Sequence, residues 1–200
     1  MSPAACGGLS AMSRTLVYSM QVSLDGYMEG PGRDLGWATP DEELHTFHNE
    51  QARAVGADLY GRRLYELMAA YWPTTGDDPA ASPSVVEFAR IWNATPRVVF
   101  SSTLEQVDPG SRLVRGDAVE EIARLKQGDG GELAAGGAGL GGSLLRAGLV
   151  DEIRLFAYPI VLGAGTPFFP PLDERIPLEL IDTRRFDSGV VYARYRVKTT

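Results

Sequence analysis

The chain has 200 residues, 44% of them hydrophobic and 22% charged, with a formal net charge of −7. That is the profile of one globular domain long enough to bury a core. The acidic balance excludes broad binding to nucleic acid or to an anionic membrane surface.

One cysteine, Cys6, cannot form an internal disulfide, and this reads as a reducing, cytoplasmic setting. No stretch reaches the roughly 18 apolar residues of a membrane span. Met1 to Met12 lack the basic-then-apolar pattern of a signal peptide and read as a disordered tail. Residues 13–200 then form a single domain, and Met12 is an alternative start.

Thr15 to Val22 predicts a buried strand, broken by Ser23-Leu24-Asp25-Gly26. Thr39-Pro40-Asp41-Glu42 predicts a helix start with Thr39 as N-cap and Pro40 in the first helical position. That helix turns Leu44 and Phe47 inward and ends near Gly56. A short strand over Ala57–Tyr60 passes through Gly61-Arg62-Arg63 into a second helix ending at Met68. Pro73 to Pro83 reads as a polar loop, Val85 to Trp92 as a helix and Arg97 to Ser101 as a strand. Ala118 to Gln127 is a helix. Glu132 to Ala135 is a strand feeding Gly136-Gly137-Ala138-Gly139-Leu140-Gly141-Gly142, and Leu140 to Ala147 is a helix. Ile153 to Leu162 is an apolar strand, and Leu178–Phe186 with Val190–Val197 forms a terminal hairpin. Strands alternating with helices, then a hairpin, give a mostly parallel sheet with an antiparallel edge.

The glycine cluster after a strand marks backbone that approaches something closely, and a phosphate at a helix start is the usual something. Gly137 to Gly142 matches G-x-G-x-x-G. It lies late in the chain and lacks the acid expected about 20 residues on, so three readings stand. They are a classical dinucleotide fold, a structural turn, and a phosphate-contacting turn of another fold. Gly61-Arg62-Arg63 suits a phosphate monoester, or is a pair of solvated arginines. Asp25 and Glu42 are either acids facing a cleft or ordinary turn and helix-start residues. Trp37 reads as packing. His45 and His48 lie three apart on one helix without a third ligand, so no metal site is expected.

As a set these residues resemble the dihydrofolate-reductase-like superfamily. They are most similar to the reductase (C-terminal) domain of the riboflavin-biosynthesis deaminase-reductase. The likeness runs from about Arg14 to Val197. It is carried by Ser23-Leu24-Asp25-Gly26, Gly61-Arg62, Val99-Phe100-Ser101-Ser102, Gly136-Gly137-Ala138 and Gly148-Leu149-Val150-Asp151-Glu152 through Pro159, Gly163 and Gly165. The resemblance implies a three-layer α/β/α sandwich around a mostly parallel twisted sheet of about eight strands, ending in an antiparallel hairpin.

It also implies NADPH as hydride donor. Gly61, Arg62 and Arg63 would meet the 2′-phosphate, Ser101 and Ser102 the adenosine end, and Gly136, Gly137, Ala138, Gly139 and Leu140 the diphosphate, with a cis bond joining the paired glycines. Asp25 and Glu42 would be the catalytic acids, and Ser23, Asp25, Trp37, Gly165 and Thr166 would line the substrate side. The implied reaction is hydride transfer to a C=N or C1′ centre, as in 5-amino-6-(5-phosphoribosylamino)uracil reductase. Dihydrofolate reduction and a non-catalytic NADPH-binding module are the alternatives. A small-molecule substrate is expected. So is a homodimer, formed through Ile153–Leu162 or the terminal hairpin. Basic residues near the presumed pocket are few, Arg33 excepted, although the riboflavin-type substrate carries a phosphate.

Overall fold

The structure, a computed structural model, describes residues 13–198. The tail Met1–Met12, with Cys6 and the alternative start, lies outside the described residues. In chain order the main elements are β1 (Leu16–Ser23), β2 (Tyr27–Glu29), α1 (Glu42–Ala52), β3 (Val55–Gly61), α2 (Arg62–Thr75), α3 (Pro83–Ala94), β4 (Arg97–Phe100) and β5 (Ser111–Val114). They continue as α4 (Ala118–Lys126), β6 (Glu132–Gly136), α5 (Ala138–Arg146), β7 (Glu152–Tyr158), β8 (Thr166–Pro167), β9 (Leu178–Arg185) and β10 (Val191–Val197).

Eight strands form one sheet in the order β5-β4-β3-β6-β1-β7-β10-β9. β5 through β7 pair in parallel; β10 runs antiparallel to β7 and to β9. This is the expected sandwich with its antiparallel C-terminal hairpin. Strict alternation along each strand sends side chains to two helical layers. Leu16, Tyr18, Leu59, Leu133 and Ile153 meet Ile122 of α4 and Leu144 of α5 on one face. On the other, Phe156, Tyr158 and Tyr192 pack with Leu44 of α1, while Tyr60 and Val99 pack with Tyr65 of α2.

Several local expectations are corrected. The N-cap of α1 is Asp41, not Thr39, because the Asp41 carboxylate reaches the Leu44 amide at 2.8 Å. α2 runs on through Pro73 to Thr75. β7 stops at Tyr158, before Pro159, rather than reaching Leu162. It lies between β1 and β10, so both of its edges are already paired and it offers none to a second chain. The unpaired edge on that side of the sheet belongs to β9.

A two-stranded ribbon of β2 and β8 sits apart from the main sheet. Gly165 has φ +142, and a β-carbon there would run into the Glu29 carbonyl, so only glycine lets the two strands close.

Candidate active site

β3 and β6 are parallel neighbours, with Tyr60 opposite Gly136. Their carboxyl ends therefore lie side by side, and each runs straight into a helix. Gly61 is the N-cap of α2 and Gly137, at φ +87, the N-cap of α5; neither helix start has a side-chain cap. Elsewhere carboxylates fill this role. Asp41 caps α1, Asp117 accepts from the Val119 and Glu120 amides of α4, and Glu42 accepts from the Ser84 amide of α3 at 3.2 Å. The two uncapped starts open on one groove of about 560 Å³, lined by Gly61, Arg62, Arg63 and Gly136 through Leu140. Its free first-turn amides and two helix-dipole ends favour an anion.

The groove is basic at one side. Arg62 donates through Nε to Glu66 at 2.8 Å and through Nη1 to Thr103 Oγ1 at 2.9 Å. Ser101 Oγ accepts from the Thr103 and Leu104 amides at 3.2 and 3.0 Å, and Arg115 donates to the Ser102 carbonyl at 3.5 Å. Ser101 and Ser102 thus form a tight turn beside Arg62. Arg63 is paired with the buried carboxylate of Glu29. Arg33, which also lines the groove, holds a left-handed φ of 67°, unusual for a residue with a side chain.

A second cavity of about 480 Å³ lies between the sheet and helices α1, α2 and α3. Met20, Leu64 and Gly136 line both spaces, so the groove and the cavity adjoin across these three residues. Ser19, Gln21 and Arg154 rise from its floor, His45, His48 and Gln51 enter from α1, and Trp72 and Phe88 complete the wall. Asp58 and Tyr60 enter from β3. Burial pushes the Asp58 carboxyl up to about 6 and the Tyr60 hydroxyl well above its ordinary range. Burial, aided by neighbouring His45, pushes His48 down to about 3.

The two acids expected to face substrate line neither space. Asp25 is a loop clamp. It accepts from Ser23 Oγ at 2.6 Å and from the Leu162 and Gly163 amides at 3.1 and 2.7 Å. These bonds, Ser23 foremost, hold its carboxyl at about 2. Glu42 receives Ser84 Oγ at 2.8 Å and ties α1 to α3. Ser23 Oγ also accepts from the Tyr27 amide. Trp37 packs edge-on against Tyr158, with centroids 5.5 Å apart, and donates to the Asp34 carbonyl. Thr166 pairs with Glu29 in the β2–β8 ribbon, and Gly165, just before it, packs on the Glu29 carbonyl. Each of these six is occupied by local structure.

All described peptide bonds, Gly136–Gly137 included, are trans. Among the described residues no three His, Cys, Asp or Glu side chains converge as a metal set, and no helix is long and apolar enough to cross a membrane.

The strand order and the paired helix starts at the carboxyl edge define a dihydrofolate-reductase-like α/β fold. The Enterococcus faecalis dihydrofolate reductase complexed with NADP(H) superimposes with a TM-score of 0.61 at 18% identity, over 92% of this chain and 97% of that one. A Shewanella sp. PV-4 protein assigned to riboflavin biosynthesis superimposes with a TM-score of 0.74 at 23% identity, over 92% and 99% of the two chains. Residues 14–192 match the model of the RibD C-terminal domain, and the chain belongs to that family. It is also 33% identical over 185 residues to YyaP of Bacillus subtilis (strain 168), which covers 91% of this chain and 94% of the relative.

Proposed function

We propose that this protein is an NADPH-dependent reductase that delivers hydride to a C=N or C1′ centre of a small heterocycle. One observation carries the reading: two uncapped, glycine-led helix starts share a groove that adjoins a polar, aromatic-walled cavity. The groove passes a fit test for a dinucleotide. A β-carbon on Gly61 or Gly139 would meet no atom within 4 Å, so the backbone there faces open space.

When bound, the cofactor supplies a hydride. The chain's own residues do the rest. Ala138, Gly139 and Leu140 would offer amides to the diphosphate, and Arg62 with Thr103 would grip the 2′-phosphate that separates NADPH from NADH. Met20, Leu64 and Gly136, common to both spaces, would bring the nicotinamide to the cavity mouth. In place of Asp25 and Glu42, two carboxyls line the cavity: Glu132, which is paired with Arg154, and Asp58, which burial pushes up to about 6 and which can meet a ring nitrogen.

A pterin-type substrate is a second reading, because the cavity carries no spare cation for a sugar phosphate. Spectrophotometry of NADPH and NADH with 5-amino-6-(5-phosphoribosylamino)uracil and with dihydrofolate tests the proposal. Substrate-dependent oxidation preferring NADPH is expected. Tight NADPH binding with no oxidation by any heterocycle would leave only a nucleotide-binding module.

A further inference from the structure

Five charged side chains line the groove: Glu29, Arg33, Arg62, Arg63 and Glu66. Four of them are already matched, Arg62 with Glu66 at 2.8 Å and Arg63 with the buried Glu29. Among the described residues the Arg33 guanidinium has neither an ion-pair nor a hydrogen-bond partner. The net positive charge of the lining side chains therefore comes from this one residue.

The backbone is the second observation. Gly32 and Arg33 both take a left-handed φ, 72° and 67°. That conformation strains a residue with a β-carbon and costs glycine nothing in sterics. The turn is fixed by bonds of its own. The Gly30 amide donates to the Asp34 carbonyl at 2.9 Å, the Arg33 amide to the Gly30 carbonyl at 3.1 Å, and Trp37 Nε1 to the Asp34 carbonyl at 3.1 Å. None of these bonds uses the Arg33 side chain. A second glycine would serve the turn better, yet a long cation is kept there in strain.

Position is the third. Arg33 follows β2, and β2 is tied to both helices that open on the groove. The Tyr18 hydroxyl donates to Met28 Sδ at 3.7 Å, while the Tyr18 ring packs against Gly141 of α5. Glu29 binds Arg63 of α2. Arg33 lines the groove and not the second cavity, so its charge serves what fills the groove. The first-turn amides of α5 present only partial charges, and a phosphate there gains from a full one.

We propose that Arg33 is an anion-binding residue whose guanidinium meets, from the β2 side, the diphosphate of the bound dinucleotide. The inference rests on the proposed function in taking a pyridine dinucleotide as the groove's ligand, and it adds to that reading a contact indifferent to the 2′-phosphate.

Arg33→Gly and Arg33→Asn both suit a left-handed φ and remove the charge. Thermal melting of the full chain, with fluorescence titrations of NADPH and of NADH, reads the outcome. Each variant should melt at or above the wild-type temperature and bind both nucleotides about tenfold more weakly, the low end for a charge-assisted contact at an exposed residue. The deficit should shrink as salt rises from about 0.05 to about 0.5 M, because an exposed pair is screened. Should one variant fail to fold, the other decides. A loss confined to NADPH, or a deficit that comes with a lowered Tm and ignores salt, would overturn the inference. Wild-type binding that both variants retain would overturn this inference alone. A wild-type chain that binds neither nucleotide would overturn the cofactor reading and this inference with it.

Discussion

Replacing Gly139 by aspartate separates a cofactor cradle from a structural turn. Gly139 is the second residue of α5, its φ is not left-handed, and a side chain there would point into open groove. For folding alone the change is mild or favourable. Removing a helical glycine and placing a carboxylate in the first turn should together gain about 0.5–1 kcal/mol, a rise of roughly 1–4 °C in Tm. For NADPH the same carboxylate stands where the diphosphate would lie. A charge pair about 5 Å apart at an effective dielectric of about 20 costs roughly 3 kcal/mol, or about 200-fold in Kd. Thermal melting and NADPH fluorescence titration on one preparation give both numbers, with Gly139→Ala as the uncharged control. A Gly139→Asp protein that is stable and binds NADPH as the wild type does would show that no phosphate approaches these amides.

Arg62→Ala should weaken NADPH by about 10-fold, the low end of a charge-assisted contact because Glu66 already shares the guanidinium, and should leave NADH unchanged. Equal losses for both nucleotides would remove Arg62 from 2′-phosphate recognition. Asp25→Asn should keep turnover near wild type but lower Tm at neutral pH. The folded-state value near 2 lies below the ordinary 3.8, so Asp25 stabilises above that value and the benefit is lost as pH falls through about 2. The variant's Tm should therefore converge on the wild type's in acid; a large drop in kcat with unchanged Tm would restore the catalytic role. Asp58 has the opposite sign. Its value is raised from 3.8 to about 6, so it costs stability as pH climbs through that window. Asp58→Asn should gain Tm relative to wild type above pH 6 and flatten the kcat/KM profile around that pH. An unchanged profile would exclude Asp58 as proton source.

Long elements were legible in the sequence, since β1, β6, α4 and the β9–β10 hairpin carry apolar runs or stripes bounded by glycine or polar turns. β2, β5 and β8 were not, because these short segments lack the continuous apolar run, Val98-Val99-Phe100, that marks the equally short β4. The groove was legible too: Gly61-Arg62-Arg63 and Gly136–Leu140 owe their conformation to neighbours in sequence, and parallel pairing of β3 with β6 brings them together. The surroundings of the two acids were not legible, for the converse reason. Asp25 is committed to amides at Leu162 and Gly163, and Glu42 to Ser84, across separations no local pattern reveals. Asp58 looked like one polar residue in a short strand. His45 and His48 were weighed only as metal ligands; their three-residue spacing, which sets both on the helix face lining the second cavity, was the signal available.

A crystal structure of the full chain grown with NADP⁺ asks the decisive question. Diphosphate oxygens should lie within hydrogen-bonding distance of the Ala138, Gly139 and Leu140 amides, the 2′-phosphate against Arg62 and Thr103, and the nicotinamide beside Met20 and Leu64. Clear density for the dinucleotide anywhere else on the molecule, with those amides facing solvent, would contradict it.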